Sequence, residues 1–435
     1  MAGNPAGKCD FDRSPENLKA KLNNTFQLRF NQLEAIIAIN SGESVLVVGY
    51  NGAGESLCYQ LPACFSAGVT VVISPFISLI KDQIQKLTEL GIEAWTPPDD
   101  QGYINAESIY EQSLKIKLLY VTPEKMSRSP PLIEALQVLF ANGLLARFVI
   151  DEAHCISKLG CDFRPEYEEL NKLQQDFPRV PMIAVSVPIA PHIKQDILKR
   201  LQMTNPRVFT MSLNRTNLKY AVENTTLNGG TNCIKWIQDR HTRYPHDSGI
   251  VYCWKRHYCN DMAKTLKEAG LLACSYHGGM TNADKEGVQN MWKENKCQVI
   301  CATFETDIHK PDVRYVIHSV LPKSMEQYRW ETERACRNGN VSDCIIFYNR
   351  SDHSTLDYLI RKESQKMEWD NLDRVAQYCS NKKVCRRAQL LPYFGGVNTE
   401  ANLCEENTEA ICDNCESANK KKVMNVKEEG EGEMT

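Results

Sequence analysis

A glycine-rich segment with the form of a phosphate-binding loop spans residues 49–56 and reads GYNGAGES. In the pattern G-x-x-x-x-G-K-[ST], the backbone surrounds phosphates, the lysine reaches the β- and γ-phosphates, and the hydroxyl binds Mg²⁺. Gly49, Gly54 and Ser56 match this pattern, but Glu55 occupies the lysine position. At about 4 Å and an effective dielectric of about 20, a unit charge pair is worth roughly 4 kcal/mol, so the reversal removes an attraction and adds a repulsion. Taken alone, the segment is equally consistent with a glycine turn before a helix.

A second motif, an acidic pair after an apolar run, supports the nucleotide interpretation. Residues 148–154 read FVIDEAH, which predicts a strand that ends at Asp151 and Glu152. The aspartate of such a pair can hold Mg²⁺, and the glutamate can orient and deprotonate the water that attacks a γ-phosphate. Residues 45–48 and 56–61 also predict a strand before the loop and a helix after it. Together the two motifs indicate a site descended from a nucleotide-binding one.

Four cysteines near the end of the chain have the spacing of a metal site. Cys385, Cys404, Cys412 and Cys415 form the pattern C-x18-C-x7-C-x2-C. Four thiolates that include a C-x-x-C pair suit a closed tetrahedral structural zinc. The alternative from spacing alone is a set of buried apolar cysteines, which is the role predicted for nearby Cys379.

Composition places few limits on function. The 435 residues are enough for two or three domains, and the net charge of −3 excludes a wholly basic nucleic-acid binder while allowing a local basic face. No run reaches the roughly 18 apolar residues of a membrane span. The polar N-terminus shows no secretion signal, so the eighteen cysteines are expected in a reducing compartment, the nucleus or cytoplasm.

Short β-rich runs alternate with helical stretches twice along the chain, which predicts two α/β lobes with parallel sheets. The runs that predict strands are 45–48, 70–74, 118–121, 148–151 and 182–186, and then 249–253, 273–276, 298–302, 313–318 and 345–348. The sequence after residue 351 becomes helical and cysteine-bearing. The predicted organisation is a polar N-terminal segment (1–25), a first lobe (26–211), a second lobe (212–350), a helical zinc-binding module (351–415) and a charged, disordered tail (416–435).

From residue 26 to residue 415 the chain resembles the RecQ-type superfamily 2 DNA helicases. The segments that carry the resemblance are 56–63 (SLCYQLPA), 72–83 (VISPFISLIKDQ), 162–167 (DFRPEY), 214–220 (NRTNLKY) and 310–318 (KPDVRYVIH). The flanks of the four cysteines also match the zinc module of that family. The resemblance implies two RecA-like lobes, a structural Zn²⁺, and ATP- and Mg²⁺-dependent 3′-to-5′ DNA unwinding in recombination and repair.

The resemblance also implies roles for individual residues. Ser56 and Asp151 would hold Mg²⁺, Glu152 would position water, and Arg334 or Arg337 would be the arginine finger. The remaining expected contacts are Gln32, Gly52, Gly54 and Glu55 with nucleotide, and Phe163, Arg164, Arg215 and His277 with DNA.

Several family motifs are altered in this chain. The aromatic-rich loop after the acidic pair has Leu159 where the family has tryptophan, and leucine offers no π-face for base stacking. A Thr-Ala-Thr segment that couples the two sites is replaced by residues 186–188, which end in Pro188. Glu333 replaces a glycine beside Arg334, where its carboxylate could compete for the finger. The alterations fall in the nucleotide and DNA motifs. The predicted strands and the four cysteine ligands, in contrast, match the family pattern.

This pattern predicts a pseudoenzyme, which keeps the scaffold and binds single-stranded or forked DNA with little or no ATP turnover. One alternative is an active ATP-dependent helicase, and another is a protein-interaction scaffold without a nucleic-acid role. Further expectations are nuclear localisation, repair or recombination proteins as possible partners, and no membrane association.

Overall fold

The computed structural model describes residues 28, 31–50, 54–98, 105–157, 164–211, 213–225, 229–304, 308, 310–336, 338–351, 353–354, 366–396, 403–404 and 408–420. Within them the chain forms two parallel-sheet lobes followed by a small cysteine-bearing module. No helix in these ranges has the length and apolarity to cross a membrane.

The described part of the first lobe is built on a seven-stranded sheet in the order β3-β4-β2-β5-β6-β1-β7, with parallel pairing throughout. Its strands are β1 (Val45–Val48), β2 (Val69–Ile73), β3 (Ala94–Trp95), β4 (Leu118–Val121), β5 (Leu145–Ile150), β6 (Met182–Ser186) and β7 (Arg207–Thr210). Strands β1, β2, β4 and β6 are buried along their whole length, as expected for a parallel sheet covered by helices on both faces.

Eight helices accompany this sheet in the described residues: α1 (Gln32–Asn40), α2 (Glu55–Phe65), α3 (Ile77–Glu89), α4 (Ala106–Ser113), α5 (Pro123–Arg128), α6 (Pro130–Ala141), α7 (Leu173–Asp176) and α8 (Pro191–Arg200). Short 3-10 helices span Ala153–Ile156 and Pro165–Lys172. Pro62 lies inside α2.

Among the residues of the second lobe that the structure describes, six parallel strands form a sheet in the order β10-β11-β9-β12-β13-β8. Its strands are β8 (Leu218–Asn224), β9 (Ser248–Tyr252), β10 (Ala273–Tyr276), β11 (Val299–Ala302), β12 (Val313–His318) and β13 (Ser342–Tyr348). Its helices are α9 (Gly229–Arg243), α10 (Arg256–Glu268), α11 (Asn282–Lys293) and α12 (Met325–Thr332).

The cysteine-bearing module contains α13 (Lys366–Ser380), α14 (Arg386–Leu390) and 3-10 turns at Leu391–Phe394 and Thr408–Ala410. It packs on the edge of the second sheet, where the Asp413 carboxylate accepts a hydrogen bond from the Val222 backbone N–H at 3.0 Å. The ring of Tyr393 packs against the core of the first lobe as well.

The predicted architecture of two lobes and a C-terminal module is confirmed, and every predicted strand is present. Strands β3, β7 and β8 were not predicted from the sequence. The prediction of a disordered tail from residue 416 is wrong at its start, because residues 413–420 are helical and Glu416 pairs with Lys219 at 3.4 Å. The predicted segment 1–25 and residues 421–435 lie outside the described residues.

Candidate nucleotide and metal sites

The phosphate-binding loop follows β1, and its described end places Glu55 at the head of α2. Gly54 caps that helix with a φ of +87°, a left-handed conformation that favours glycine. A β carbon on Gly49 would lie 3.1 Å from Cγ and 3.2 Å from Oε1 of Glu55. The Glu55 side chain therefore folds back across the start of the loop, and its carboxyl group lies next to the backbone of Gly49.

The environment of Glu55 favours its neutral form. Burial raises the pKa of Glu55 from 4.5 to about 8, and the negative charges of Glu333, Glu152 and Asp151 act in the same direction. At pH 7 the carboxyl group is therefore mostly protonated. A neutral Glu55 does not repel a phosphate, but it must keep its proton while the phosphate approaches. The attraction that a lysine would supply is absent in either protonation state of Glu55.

The acidic pair lies directly after β5, as its sequence predicts. The Ser74 hydroxyl donates to Oδ2 of Asp151 at 3.1 Å, and the Tyr167 hydroxyl donates to the Asp151 carbonyl at 2.8 Å. Burial raises the pKa of Asp151 to about 7, and the neighbouring Glu152 carboxylate adds to the effect. Glu152 has a left-handed φ of +50°, and its Oε2 lies 3.4 Å from Nδ1 of His154. The two carboxyl groups are thus held by groups of the same lobe.

The second lobe contributes Arg334 to the same cleft. The Arg334 guanidinium donates to the carbonyl of Ile308 at 2.7 Å and lies 4.7 Å from the ring centroid of Trp330. The ring of Trp330 in turn makes an edge contact with His154 of the first lobe, with centroids 6.1 Å apart. A line of contacts therefore joins Glu152 to the predicted arginine finger across the two lobes.

A cleft of about 340 Å³ lies between these groups. Residues of both lobes line it, among them Glu55, Ser56, Asp151, Glu152 and Arg334. Ser186, the surviving hydroxyl of the altered coupling segment, also lines the cleft and donates to the Val187 carbonyl at 3.0 Å. The structure thus brings together the phosphate-loop, acidic-pair and finger residues that sequence reasoning selected.

Gln32, the predicted adenine contact, is buried against the phosphate-binding loop. Its side-chain nitrogen donates to the Gly54 carbonyl at 3.0 Å. A β carbon on Gly54 would lie 2.5 Å from this nitrogen, so a larger residue here would have to displace the Gln32 amide. Gln32 thus couples α1 to the loop that would hold the phosphates.

The structure places Arg215 differently from the sequence prediction. Only 3% of Arg215 is exposed, and its guanidinium donates to the carbonyls of Ala335 and Cys336 at 2.8 and 2.7 Å. It also lies 4.9 Å from the ring of Tyr50 in the first lobe. Its burial argues against the predicted DNA contact, and we interpret Arg215 as an interlobe structural residue.

Glu333 also has partners that the sequence did not indicate. It is fully buried, and its Oε1 accepts a hydrogen bond from Nε of Arg329 at 2.6 Å. Its Oε2 lies 3.9 Å from Nη1 of Arg215. The carboxylate of Glu333 is therefore the shared counter-ion of two buried arginines. From the sequence, Arg334 was the expected competing partner of Glu333, and these two contacts involve other arginines.

Two predicted DNA contacts reach the surface. The Arg164 guanidinium donates to the Pro75 carbonyl at 3.2 Å and stacks 4.5 Å from the Phe76 ring. His277 follows β10, and its Nε2 lies 3.2 Å from Oδ1 of Asn260. Gly52, Phe163 and Arg337, together with Leu159 of the altered loop, lie outside the described residues.

The four predicted cysteine ligands converge. One ligand atom of each of Cys385, Cys404, Cys412 and Cys415 lies within 4.8 Å of all the others, and the first three residues are buried. Thiol groups brought this close suit a single thiolate-bound ion. Cys379, which was predicted to be a core thiol, is fully buried in the second-lobe core.

Two arginines hold the cysteine cluster in place. The Arg386 side chain binds both carboxylate oxygens of Asp413 at 2.8 Å. Arg387 donates to the Cys404 sulfur at 2.9 Å and to the carbonyls of Thr216 and Leu218 at 3.0 and 2.7 Å. The cluster is thereby connected to the segment that joins the lobes.

Sequence reasoning missed several residues that the structure brings to the cleft. Trp330 and Lys293 line it, and Lys293 pairs with Asp82 of the first lobe at 3.6 Å. The histidine of the DEAH tetrapeptide was the available signal for the contact with Trp330. The i,i+4 spacing of Arg329 and Glu333 was an available signal for their ion pair, whereas nothing near in sequence indicated Arg215 as a second partner of Glu333.

Three family models match the chain. They are the DEAD/DEAH box helicase model over residues 29–191, the helicase conserved C-terminal domain over 232–339 and the RecQ zinc-binding model over 350–416. Their order along the chain is the order of the two lobes and the cysteine-bearing module.

Curated relatives agree with these matches. The chain is 48% identical to the RecQ-like DNA helicase BLM of Xenopus laevis over 93% of its own length and 31% of the relative's. It is 42% identical to the RecQ-like DNA helicase blm-1 of Caenorhabditis elegans over 91% and 41% of the two lengths. The chain thus spans about a third of the length of these relatives.

Solved structures show the same fold at low identity. The DUF1998 helicase MrfA bound to DNA has a TM-score of 0.61 at 16% identity, with 93% of this chain and 61% of that chain covered. The Mycobacterium smegmatis helicase Lhr bound to ssDNA and AMP-PNP has a TM-score of 0.58 at 18% identity, over 79% and 49%. With the domain models and the relatives, these findings show that the chain belongs to the RecQ-type helicase family and is similar to its Bloom-type members.

Proposed function

We propose that this chain binds single-stranded or forked DNA on a RecQ-type scaffold and hydrolyses ATP slowly or not at all. The observation that carries the proposal is the carboxyl group of Glu55, which lies over Gly49 in the phosphate-binding loop and in the same cleft as Asp151 and Glu152. Three acidic side chains therefore face the space that phosphates need, and the lysine attraction is missing.

The remaining groups fit a nucleotide only in part. Ser56 and Asp151 would hold Mg²⁺, which would neutralise phosphate charge when bound. Glu152 and Arg334 both line the cleft, where Glu152 would orient water and Arg334 would approach from the other lobe. Burial of Asp151 favours its protonated form, which opposes Mg²⁺ ligation. The residues therefore support weak nucleotide binding better than turnover.

Steady-state ATP hydrolysis with and without single-stranded DNA tests this proposal. We expect turnover at or below about a thousandth of that of an intact relative, a loss of about 4 kcal/mol in transition-state stabilisation. Glu55→Lys should restore nucleotide binding but little turnover, because Pro188 and the altered DNA loop remain. Robust DNA-stimulated hydrolysis by the unmodified chain, abolished by Glu152→Gln to exclude contaminants, would favour the active-helicase alternative.

DNA binding in this proposal is electrostatic and independent of sequence. Arg164 and His277 reach the surface on different lobes, and loss of the stacking tryptophan leaves phosphate contacts as the expected contribution of the first lobe. Affinity measured by fluorescence anisotropy should fall steeply between about 50 and 200 mM salt. Absence of binding even at low salt would favour the scaffold without a nucleic-acid role.

The proposal extends to the metal, the compartment and the partners. Cys385, Cys404, Cys412 and Cys415 would hold one structural Zn²⁺, which suits four thiolates in a closed site. Zinc of this kind lends free energy to folding and takes no part in a reaction. Similarity to RecQ-like DNA helicases supports a nuclear role in recombination or repair with proteins of those pathways.

A further inference from the structure

An exposed aromatic pair lies at the start of α10, beside the predicted DNA contact His277. The rings of His257 and Tyr258 are 4.1 Å apart, and 52% of Tyr258 is exposed. Just before them, the Lys255 ammonium lies 5.0 Å from the centroid of the partly buried Trp254 ring. The two ring planes are tilted by 41° to each other, so each ring presents a face to solvent. Large exposed rings cost free energy in water, and such a pair at a helix start indicates a ligand with flat apolar faces.

The surroundings of the pair carry positive charge. The residues 254–258 read WKRHY and contain two fixed cations and no carboxylate. The Arg256 side chain lies over the turn after β10, because a β carbon on Gly279 would be 3.2 Å from its Nη1. The backbone N–H groups at the start of the 13-residue helix α10 lack a side-chain cap and add partial positive charge.

The position in the sheet is one where ligands bind. Strands β9 and β10 are parallel, and Arg256 and His277 follow their carboxyl ends. Ligands of open α/β sheets bind beyond the carboxyl ends of the strands. Aromatic rings with adjacent Lys and Arg side chains at such an edge match the arrangement that binds single-stranded nucleic acid.

We infer that His257 and Tyr258 form a base-stacking platform for single-stranded DNA on the second lobe, with Lys255 and Arg256 on the adjacent phosphates. This inference rests on the proposed DNA binding and adds contacts to bases, which the phosphate contacts of Arg164 do not provide. In the first-lobe loop, Leu159 stands where the family has a tryptophan that can stack on a base. The platform on the second lobe supplies base stacking in its place.

Anisotropy titrations of a labelled oligodeoxythymidine test the inference. The double variant His257→Ala/Tyr258→Ala should lose about 5- to 100-fold in affinity, since stacking is lost for one base. The slope of affinity against salt should stay unchanged, because no phosphate contact is removed, whereas Arg256→Gln should reduce that slope. Tyr258→Phe should bind like the unmodified chain.

Two controls make the result specific. Tyr244 is 52% exposed, like Tyr258, and the Arg240 guanidinium lies 4.6 Å from the centroid of its ring. Because Tyr244 is not part of the proposed platform, Tyr244→Ala should leave affinity unchanged. An abasic strand of equal length should bind the unmodified chain and the double variant equally. An affinity loss no larger than that of Tyr244→Ala, or an equal loss with the abasic strand, overturns the platform while DNA binding stands. Failure of the unmodified chain to bind either strand overturns both proposals.

Discussion

The substitution Glu55→Gln is expected to make the fold more stable at alkaline pH. Glutamine keeps the size of the side chain but cannot lose a proton. The pKa of Glu55 is about 8 in the folded chain against an ordinary value of 4.5. Between these values the unfolded chain has released the proton and the folded chain retains it. Folding therefore takes up a proton, and stability falls as pH rises from about 4.5 to about 8.

The size of the effect follows from the two pKa values. The difference between 4.5 and about 8 corresponds to at most about 5 kcal/mol. It is an upper limit, because the Glu55 side chain keeps some solvent exposure. The advantage of Glu55→Gln over the unmodified chain should be near zero below the lower pKa, grow between the two and level off above about 8.

Urea unfolding of both proteins across this pH range measures the difference. Asp151, whose pKa burial also raises, is present in both proteins, so comparing them at each pH largely removes its contribution. Glu34→Gln on the exposed side of α1 controls for the general loss of one negative charge. Equal stability of Glu55→Gln and the unmodified chain at about pH 9, or an advantage that is largest at acid pH, would refute the assignment of a neutral Glu55.

Two further predictions concern the buried polar groups. Purified protein should contain one zinc per chain by elemental analysis. Cys412→Ser should lower both the metal content and the melting temperature, since metal ligation contributes free energy to folding. Well-folded protein with almost no metal would contradict this prediction. Glu333→Gly should destabilise the fold by about 3 to 5 kcal/mol in urea unfolding, because it leaves Arg329 and Arg215 without their shared carboxylate. Adding Arg329→Met should recover part of that loss, and full stability of the single variant would count against a structural role for Glu333.

The parts of the structure that local sequence determines were predictable. The runs VLVV and FVI became buried strands, and the two motifs after them met in one cleft, because parallel strands place their carboxyl ends at one edge. The cysteine spacing and its flanks predicted the cluster. Strand β8 was missed because its first residues, Leu218–Tyr220, belong to segment 214–220, which we interpreted only as a carrier of the family resemblance.

The parts that depend on distant residues were not predictable. The backbone carbonyl groups that accept hydrogen bonds from Arg215 are more than a hundred positions away, so the nearby sequence does not indicate that this side chain is buried. The pKa of Glu55 likewise depends on Glu333 in the other lobe. A motif alignment assigns a residue to a role by its position, but burial and charge partners decide whether the side chain is available for that role.

Arg387 joins a cysteine of the metal cluster to the connection between the lobes, since it binds the Cys404 sulfur and three carbonyls at Arg215, Thr216 and Leu218. The cysteine cluster therefore holds the connection between the two lobes in place. We expect loss of zinc to loosen that connection before it destabilises either sheet. Under the proposed function the two lobes do not have to open and close with each nucleotide, so a fixed connection and intact cysteines are compatible with an altered phosphate loop.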